Sequence, residues 1–146
     1  MASKSVIVFP TDFSKLSVLV LPWVRRMTAE PETELHCVYV LEAPPPYVAL
    51  EFDPLLEPSI DHLRQVAEKR MATFIKQHLE GLRQPVARIL VGRPVEEIVA
   101  YARDQDAALI IMPTHGYSGL RHALLGSTAE GVLRHAKCPV LAVRGT

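Results

Sequence analysis

The chain has 146 residues, of which 49% are hydrophobic and 22% are charged, and its 16 basic residues balance its 16 acidic ones. This length predicts one domain whose core is large enough to be stable without disulfides or bound metals, and the composition excludes a disordered chain. Because the formal net charge is zero, neither nucleic acid nor a membrane is expected as a partner.

The start of the chain and its cysteines bear on the compartment. Residues Met1 to Lys4 lead straight into a strand-like run, without an apolar segment of signal-peptide or membrane-spanning length. Cys37 lies in an apolar strand pattern and Cys138 precedes a proline, with no CxxC spacing. We therefore expect free thiols and a cytoplasmic protein.

Strand and helix patterns alternate from the beginning of the chain. The apolar run Ser5–Phe9 predicts the first strand, and Ser14 is placed to cap a helix from about 15 to 28. Pro22 is expected to kink that helix or remove one of its hydrogen bonds. Residues 33–41 predict a second strand that is apolar on both faces and hence covered on both.

The pattern is lost between residues 42 and 58, which contain five of the twelve prolines of the chain. We interpret this segment as a long surface loop. Such loops are often binding lids or partner contacts, and a merely tolerated insertion is an equal alternative.

The second half of the chain returns to regular alternation. A helix is predicted from Ser59 to about Leu79, ended by Gly81, and another begins at Pro94 and ends near residue 104. Strands are predicted at 86–91, 107–112 and 139–143, and a last helix at 127–135. Five strands that alternate with four helices predict an α/β domain with a parallel sheet.

The carboxyl ends of the strands are where we expect a ligand. Right-handed crossovers place these ends at one edge of a parallel sheet, and ligands bind where the strand order reverses. The first and fourth strands are entirely apolar and therefore suit the centre. If they are neighbours, Asp12 faces the turn Pro113–Gly116 across one crevice.

Two turns near the end of the chain indicate a phosphate site. Pro113–Gly116 follows a strand, and Gly126–Thr128 opens a helix. Small residues let the main chain approach an anion, and the N–H groups of a helix start attract it. Alone, Gly116 and Gly126 are equally consistent with ordinary turn glycines.

Several side chains at these turns have two interpretations. Asp12 suits ribose hydroxyls or a metal bound through water, or it bonds its own turn. Ser127 heads a capping box that ends at Glu130, so its hydroxyl either closes its own helix or faces a ligand, while Thr128 offers a second hydroxyl. His115 either donates to a phosphate or supports the turn, and we favour the turn.

The sequence lacks the common catalytic and nucleotide-binding signatures. It contains no GxxxxGK[ST], GxGxxG or GxSxG stretch. No pair of carboxylates at a strand end suggests general acid and base catalysis. Nothing in the sequence therefore marks a committed catalyst.

Taken together, these segments strongly resemble the universal stress protein (UspA) family. The resemblance rests on Pro10–Ser14, Met112–Gly116, Gly126–Thr128 and the closing segment Cys138–Val143. It implies a single Rossmann-like domain of five parallel strands in the order 3-2-1-4-5, with helices on both faces. It also implies a homodimer paired through the last strand, Val140, Leu141, Ala142 and Val143.

One branch of that family binds ATP, and the resemblance transfers its contacts to this chain. Asp12 would meet the ribose or a magnesium ion through water, Val40 the adenine, and Ser127 and Thr128 the phosphates. The full expected set is Pro10, Thr11, Asp12, Val40, Met112, Pro113, His115, Gly116, Gly126, Ser127 and Thr128. Pro113 replaces the first glycine of the family signature, which removes an N–H group and places a ring near the ribose.

The resulting hypothesis is a dimeric stress-response module that binds ATP, ADP or AMP and reports the nucleotide state to an unidentified partner protein. Pro113 motivates one alternative, an interaction protein whose pocket is vestigial and binds no nucleotide. A slow ATPase is the other alternative, and the missing general base makes it the weakest.

Overall fold

A parallel sheet of five strands organises the molecule, whose computed structural model describes residues 3–42, 59–115 and 125–145. The strands follow the predicted order β3-β2-β1-β4-β5. Their bounds are β1 Ser5–Pro10, β2 Thr33–Leu41, β3 Val86–Val91, β4 Leu109–Pro113 and β5 Val140–Val143. Gly116 and all but the first residue of the predicted proline-rich loop lie outside the described residues.

Helices cover both faces of the sheet, as expected. They are α1 Lys15–Leu19, α2 Leu21–Met27, α3 Ile60–His78, α4 Pro94–Asp104 and α5 Ser127–His135. Residues of α2 and α3 share one buried cluster with the strands, and residues of α4 and α5 share the other. None of the helices in the described ranges is long and apolar enough to cross a membrane.

The single helix predicted for residues 15–28 is wrong, because the structure has two helices that meet at Val20. Pro22 lies in the first turn of α2, where a missing N–H group breaks no helical hydrogen bond. The predicted cap is confirmed, since Ser14 Oγ accepts from Ser17 N at 3.3 Å. The apolar stripe is only partly buried, and Leu19, Trp23 and Met27 are exposed.

The register at the centre of the sheet opens a cleft. β1 pairs with β2 along its whole length, from Ser5–Thr33 to Pro10–Val38. Its pairing with β4 ends at Val8–Ile110, before either strand ends. The two central strands therefore separate at their carboxyl ends, at the point where the strand order reverses.

Both cysteines are free, as the sequence predicts. Cys37 is fully buried, and burial raises the pKa of its thiol to about 12. Cys138 is half-buried, and its pKa is also raised, chiefly by burial. Both groups are thus neutral thiols at physiological pH.

Candidate functional site

A cavity of about 550 Å³ occupies the cleft between β1 and β4, and this volume is typical of small-molecule sites. Asp12 and Gly126, which are far apart along the chain, both line this cavity. The structure brings ten of the expected site residues to this cavity: Pro10, Thr11, Asp12, Val40, Met112, Pro113, His115, Gly126, Ser127 and Thr128. The eleventh, Gly116, lies outside the described residues.

The start of α5 forms one wall of the cavity. Its N-cap is Gly126, with φ −73° and ψ 162°, and no side chain caps the helix. The capping box predicted from Ser127 is therefore wrong, because Ser127 is already the first helical residue. A helix start without a capping side chain leaves the N–H groups of its first turn available, here those of Ser127, Thr128 and Ala129.

Gly126 itself has a different role from these three residues. Its N–H group donates to the carbonyl oxygen of Thr114 at 2.6 Å, and Thr114 N donates to Val143 O at 3.0 Å. Gly126 thus fastens the start of α5 to the end of β4. Its own amide is used within the protein, so the donors that face a ligand begin at Ser127.

The turn after β1 forms the opposite wall and is held by its own side chains. Thr11 Oγ1 contacts Ser17 Oγ at 2.5 Å and accepts from Phe13 N at 3.0 Å. Asp12 Oδ1 accepts from Ser14 N at 2.9 Å, so the self-bonding interpretation of Asp12 holds. Asp12 nevertheless also lines the cavity, and a carboxylate can accept several hydrogen bonds.

Phe13 fixes the direction of this turn at an energetic cost. Its φ of 63° lies in the left-handed region, which residues other than glycine rarely adopt. The ring of Phe13 stacks on Tyr39 with centroids 4.8 Å apart, and the guanidinium carbon of Arg70 lies 4.9 Å from its centre. Phe74 adds an edge contact at 5.7 Å. This packing offsets the backbone strain and keeps Asp12 at the cavity.

Pro113, which the sequence assigned to the turn after β4, pairs with Val143 and is the last residue of that strand. β4 is therefore shifted from the predicted 107–112 to Leu109–Pro113. Pro113 lines the cavity. The ring of His115 bonds through Nδ1 to Thr114 Oγ1 at 3.0 Å, which fits the turn-supporting role favoured from the sequence.

The remaining walls come from residues that are absent from the expected set: Val38, Tyr39, Leu41, Glu42, Pro94, Ile98, Thr114 and Ala129. Most of them lie at the end of β2 and the start of α4. The bond from Gly92 N to Leu41 O, 3.0 Å long, holds the ends of β2 and β3 together. The strand ends themselves were recognisable in the sequence. That Ile98 lines the cavity was not, because its position depends on how α4 packs on the sheet.

A polar cluster outside the cavity contains one carboxylate and one phenol whose pKa values are shifted, those of Glu34 and Tyr101. His36 is buried and bonds to Tyr101 Oη at 2.7 Å and to Glu34 Oε1 at 3.1 Å. Hydrogen bonds from Lys4 and His36 lower the pKa of Glu34, and burial raises the pKa of Tyr101. Both ring nitrogens of His36 are used, so this cluster is a structural network joining β2 to α4.

No group of three or more potential metal ligands occurs within the described parts of the chain. Asp12 at the cavity fits magnesium only as one oxygen ligand among several. Since Mg²⁺ commonly keeps waters and binds substrate phosphates, solvent and the bound molecule would supply further ligands.

Comparison with known proteins identifies the family. Residues 5–144 match the model of the universal stress protein family, and the chain belongs to this family. Universal stress protein MJ0531 of Methanocaldococcus jannaschii is 33% identical over 94% of this chain and 81% of its own length.

Solved structures show the same fold. The structure of hypothetical protein MJ0577 of the same organism covers 99% of both chains with a TM-score of 0.82 at 30% identity. A universal stress protein solved in complex with cAMP has a TM-score of 0.71 at 21% identity, and the match covers 99% of this chain and 100% of that one. The sheet thus confirms the strand order expected from the resemblance, and these structures confirm the fold.

Proposed function

We propose that this universal stress protein binds an adenine nucleotide in the cavity between β1 and β4, with a phosphate at the start of α5. One observation carries the proposal: a helix start capped only by glycine opens into a cavity between the two central strands. The partial positive charge of a helix start and its free N–H groups suit a phosphate. The cAMP complex of a protein with this fold also supports the proposal.

We expect the two walls of the cavity to contact different parts of the nucleotide. The phosphate lies against the N–H groups of residues 127–129 and the hydroxyls of Ser127 and Thr128. Asp12 accepts hydrogen bonds from ribose hydroxyls. The adenine lies toward Val40 at the end of β2, beside the apolar side chains of Val38 and Ile98, which are buried.

Calorimetry with AMP, and with ATP and Mg²⁺, tests the proposal. The backbone of Gly126 is extended and accepts any residue. A Gly126→Leu side chain would occupy the phosphate end, and we expect AMP affinity to fall at least tenfold. Ala72→Leu, at an exposed position of α3, is the matched control and should bind as the wild type does. Lack of saturable binding by the wild type at millimolar nucleotide would refute the proposal.

The vestigial-pocket alternative also has an observation in its favour, because Pro113 lines the cavity and has no N–H group to offer. If Pro113 blocks the site, the wild type does not bind nucleotide and Pro113→Gly does. Binding by the wild type that Pro113→Gly changes only slightly would reject this alternative.

We further propose that the protein is a homodimer that pairs through β5, residues Val140, Leu141, Ala142 and Val143. β5 is an edge strand composed of four partly buried apolar residues. Leu19 on α1 and Leu133 on α5 are both exposed, and Leu19 lies beside Gly145, two residues after β5. At the other edge strand, β3, the guanidinium of Arg64 donates a hydrogen bond to Ile89 O at 3.1 Å and covers part of that edge.

The register of β5 shows which of its backbone groups would pair. The carbonyls of Pro139 and Val143 accept from β4, so alternate residues face β4, and Val140 and Ala142 face outward. Ala142→Pro removes an outward N–H group without breaking the β4 ladder. We expect it to sediment as a monomer, whereas Ala142→Thr, which keeps the N–H group, stays dimeric. A wild type that sediments as a monomer would exclude this dimer.

A further inference from the structure

The direction of the Asp12 carboxylate depends on the backbone of the residue that follows it. Thr11 Oγ1 accepts from Phe13 N at 3.0 Å, and Asp12 Oδ1 accepts from Ser14 N at 2.9 Å, so both side-chain bonds span Phe13 or end on it. The φ of Phe13 is 63°. A change to an ordinary negative φ would move Ser14 N relative to Asp12, and the carboxylate would lose the bond that orients it.

Contacts from other elements keep Phe13 in this conformation. A residue with a side chain persists in the left-handed region only where its surroundings determine it. The ring of Phe13 stacks on Tyr39 of β2 with centroids 4.8 Å apart, and Phe74 of α3 adds an edge contact at 5.7 Å. The guanidinium carbon of Arg70, also on α3, lies 4.9 Å from the centre of the same ring. The shape of the turn is therefore set by β2 and α3.

Arg70 differs from the two aromatic partners because it is exposed, whereas Tyr39 is half-buried and Phe74 is buried. Asp12 and Tyr39 line the cavity, while Phe13 and Arg70 are not among its described lining residues. A cation over a ring at an exposed site changes an equilibrium constant by about two- to fivefold. Within the described part of the chain, Arg70 thus reaches the cavity through the ring of Phe13.

We infer that Phe13 and Arg70 are positioning residues of the nucleotide site: they hold the Asp12 carboxylate where it meets the ribose hydroxyls, and they do not touch the ligand themselves. This inference rests on the proposed nucleotide binding and adds two residues outside the cavity that set the affinity for the ribose. It leaves the phosphate end at the start of α5 unaffected.

The ribose hydroxyls provide a readout that a merely structural role would not move. Calorimetry of the full chain with AMP and with 2′,3′-dideoxy-AMP, which lacks both hydroxyls, separates the ribose contact from the phosphate and adenine contacts. Asp12→Asn keeps an oxygen for Ser14 N and loses the charged acceptor. Its AMP affinity should fall about tenfold or more, and its affinity for the dideoxy analogue should change much less.

Arg70→Met tests the cation, because it keeps a long apolar side chain at an exposed position of α3. AMP affinity should fall about two- to threefold, and affinity for the dideoxy analogue should stay the same. Arg70→Lys retains a cation and should retain most of the AMP affinity. Lys69→Met removes the neighbouring exposed cation of α3 and is the matched control, which should bind both ligands as the wild type does.

Phe13→Leu tests the ring. Leucine offers no aromatic face to Tyr39 and Arg70 and does not favour the left-handed region. AMP affinity should fall about three- to tenfold, and the loss should not exceed that of Asp12→Asn, since Phe13 acts through Asp12. If Phe13→Leu loses AMP and the dideoxy analogue by the same factor, the ring only supports the fold and the inference is overturned.

The double variant Asp12→Asn/Arg70→Met completes a mutant cycle. Arg70→Met should have no further effect once Asp12 is replaced. An equal loss in both backgrounds would overturn the inference, and so would an Arg70→Met protein that binds AMP as the wild type does. If the wild type binds AMP and the dideoxy analogue equally well, the inference fails while nucleotide binding stands. If it binds neither, the proposed function fails as well.

Discussion

Gly126→Asp should stabilise the protein and weaken phosphate binding, because both effects depend on the same N–H groups. The backbone of Gly126, with φ −73° and ψ 162°, is that of an ordinary N-cap. An aspartate there accepts from the N–H group of Thr128 or Ala129 and places a negative charge at the helix start. Those groups are the donors that the proposed phosphate uses.

The stability gain can be estimated from the structure. The change from a glycine cap to an aspartate cap contributes a few tenths of a kcal/mol, and the helix dipole contributes about 0.3–1 kcal/mol. The free energy of unfolding should therefore rise by about 0.5–1 kcal/mol. For a chain of this size, the corresponding increase in Tm is about 2–4 °C.

The binding loss should be larger than the stability gain. Each hydrogen bond to a charged group contributes about 1.5–3 kcal/mol, and the new carboxylate also repels the phosphate. AMP affinity should fall between about tenfold and a hundredfold. Adenosine affinity should change less than twofold, because adenosine carries no phosphate.

Thermal unfolding without ligand and calorimetry with AMP and adenosine measure the two effects. Gly126→Ala adds a Cβ without an acceptor and controls for steric changes. If AMP binds Gly126→Asp as tightly as the wild type, or if adenosine and AMP lose equally, the phosphate does not lie at the start of α5.

The remaining predictions concern packing, pH and thiol reactivity. A Cβ at Gly131 would lie 2.6 Å from a methyl of Val95. Gly131→Ala should therefore lower the free energy of unfolding, measured by urea titration, by about 1 kcal/mol, although alanine has the better helix propensity. A more stable variant would contradict the close contact of α4 and α5. The lowered pKa of Glu34 adds stability that is present above its usual value near 4.5 and is lost as the pH falls below it. Glu34→Gln should therefore be less stable than the wild type at pH 7, with a difference that shrinks below about pH 4.5; a constant difference would refute this. Cys138 should react with a thiol reagent before the buried Cys37 in the native protein, and the reverse order would contradict the burial of Cys37.

The sequence predicted the parallel sheet and most element bounds because each strand is a short apolar run between clear turn residues. β2, β3 and α5 have the predicted bounds. The break at Val20 was not predicted, because Pro22 is equally compatible with a kinked helix and with the first turn of a new one. The exposure of Trp23 also escaped prediction, since periodicity shows a face but not whether another element covers it.

The candidate site was predicted in its position and less well in its details. Strand ends meet at one edge for topological reasons, so Asp12 and the turn after β4 were expected to face each other. The capping pattern at Ser127 was misleading, because the chain enters α5 one residue earlier and makes Gly126 the cap. The bond from Gly126 N to Thr114 O is a contact between two turns, which no local pattern reveals.

The most direct test of the central claim follows the backbone amides of Ser127, Thr128 and Ala129 by NMR while AMP is added. If a phosphate binds at the start of α5, these amide protons shift downfield with a common saturating curve, and adenosine shifts them much less. Amides at Ser127–Ala129 that stay in place while AMP binds elsewhere, or equal shifts with adenosine, would contradict the account.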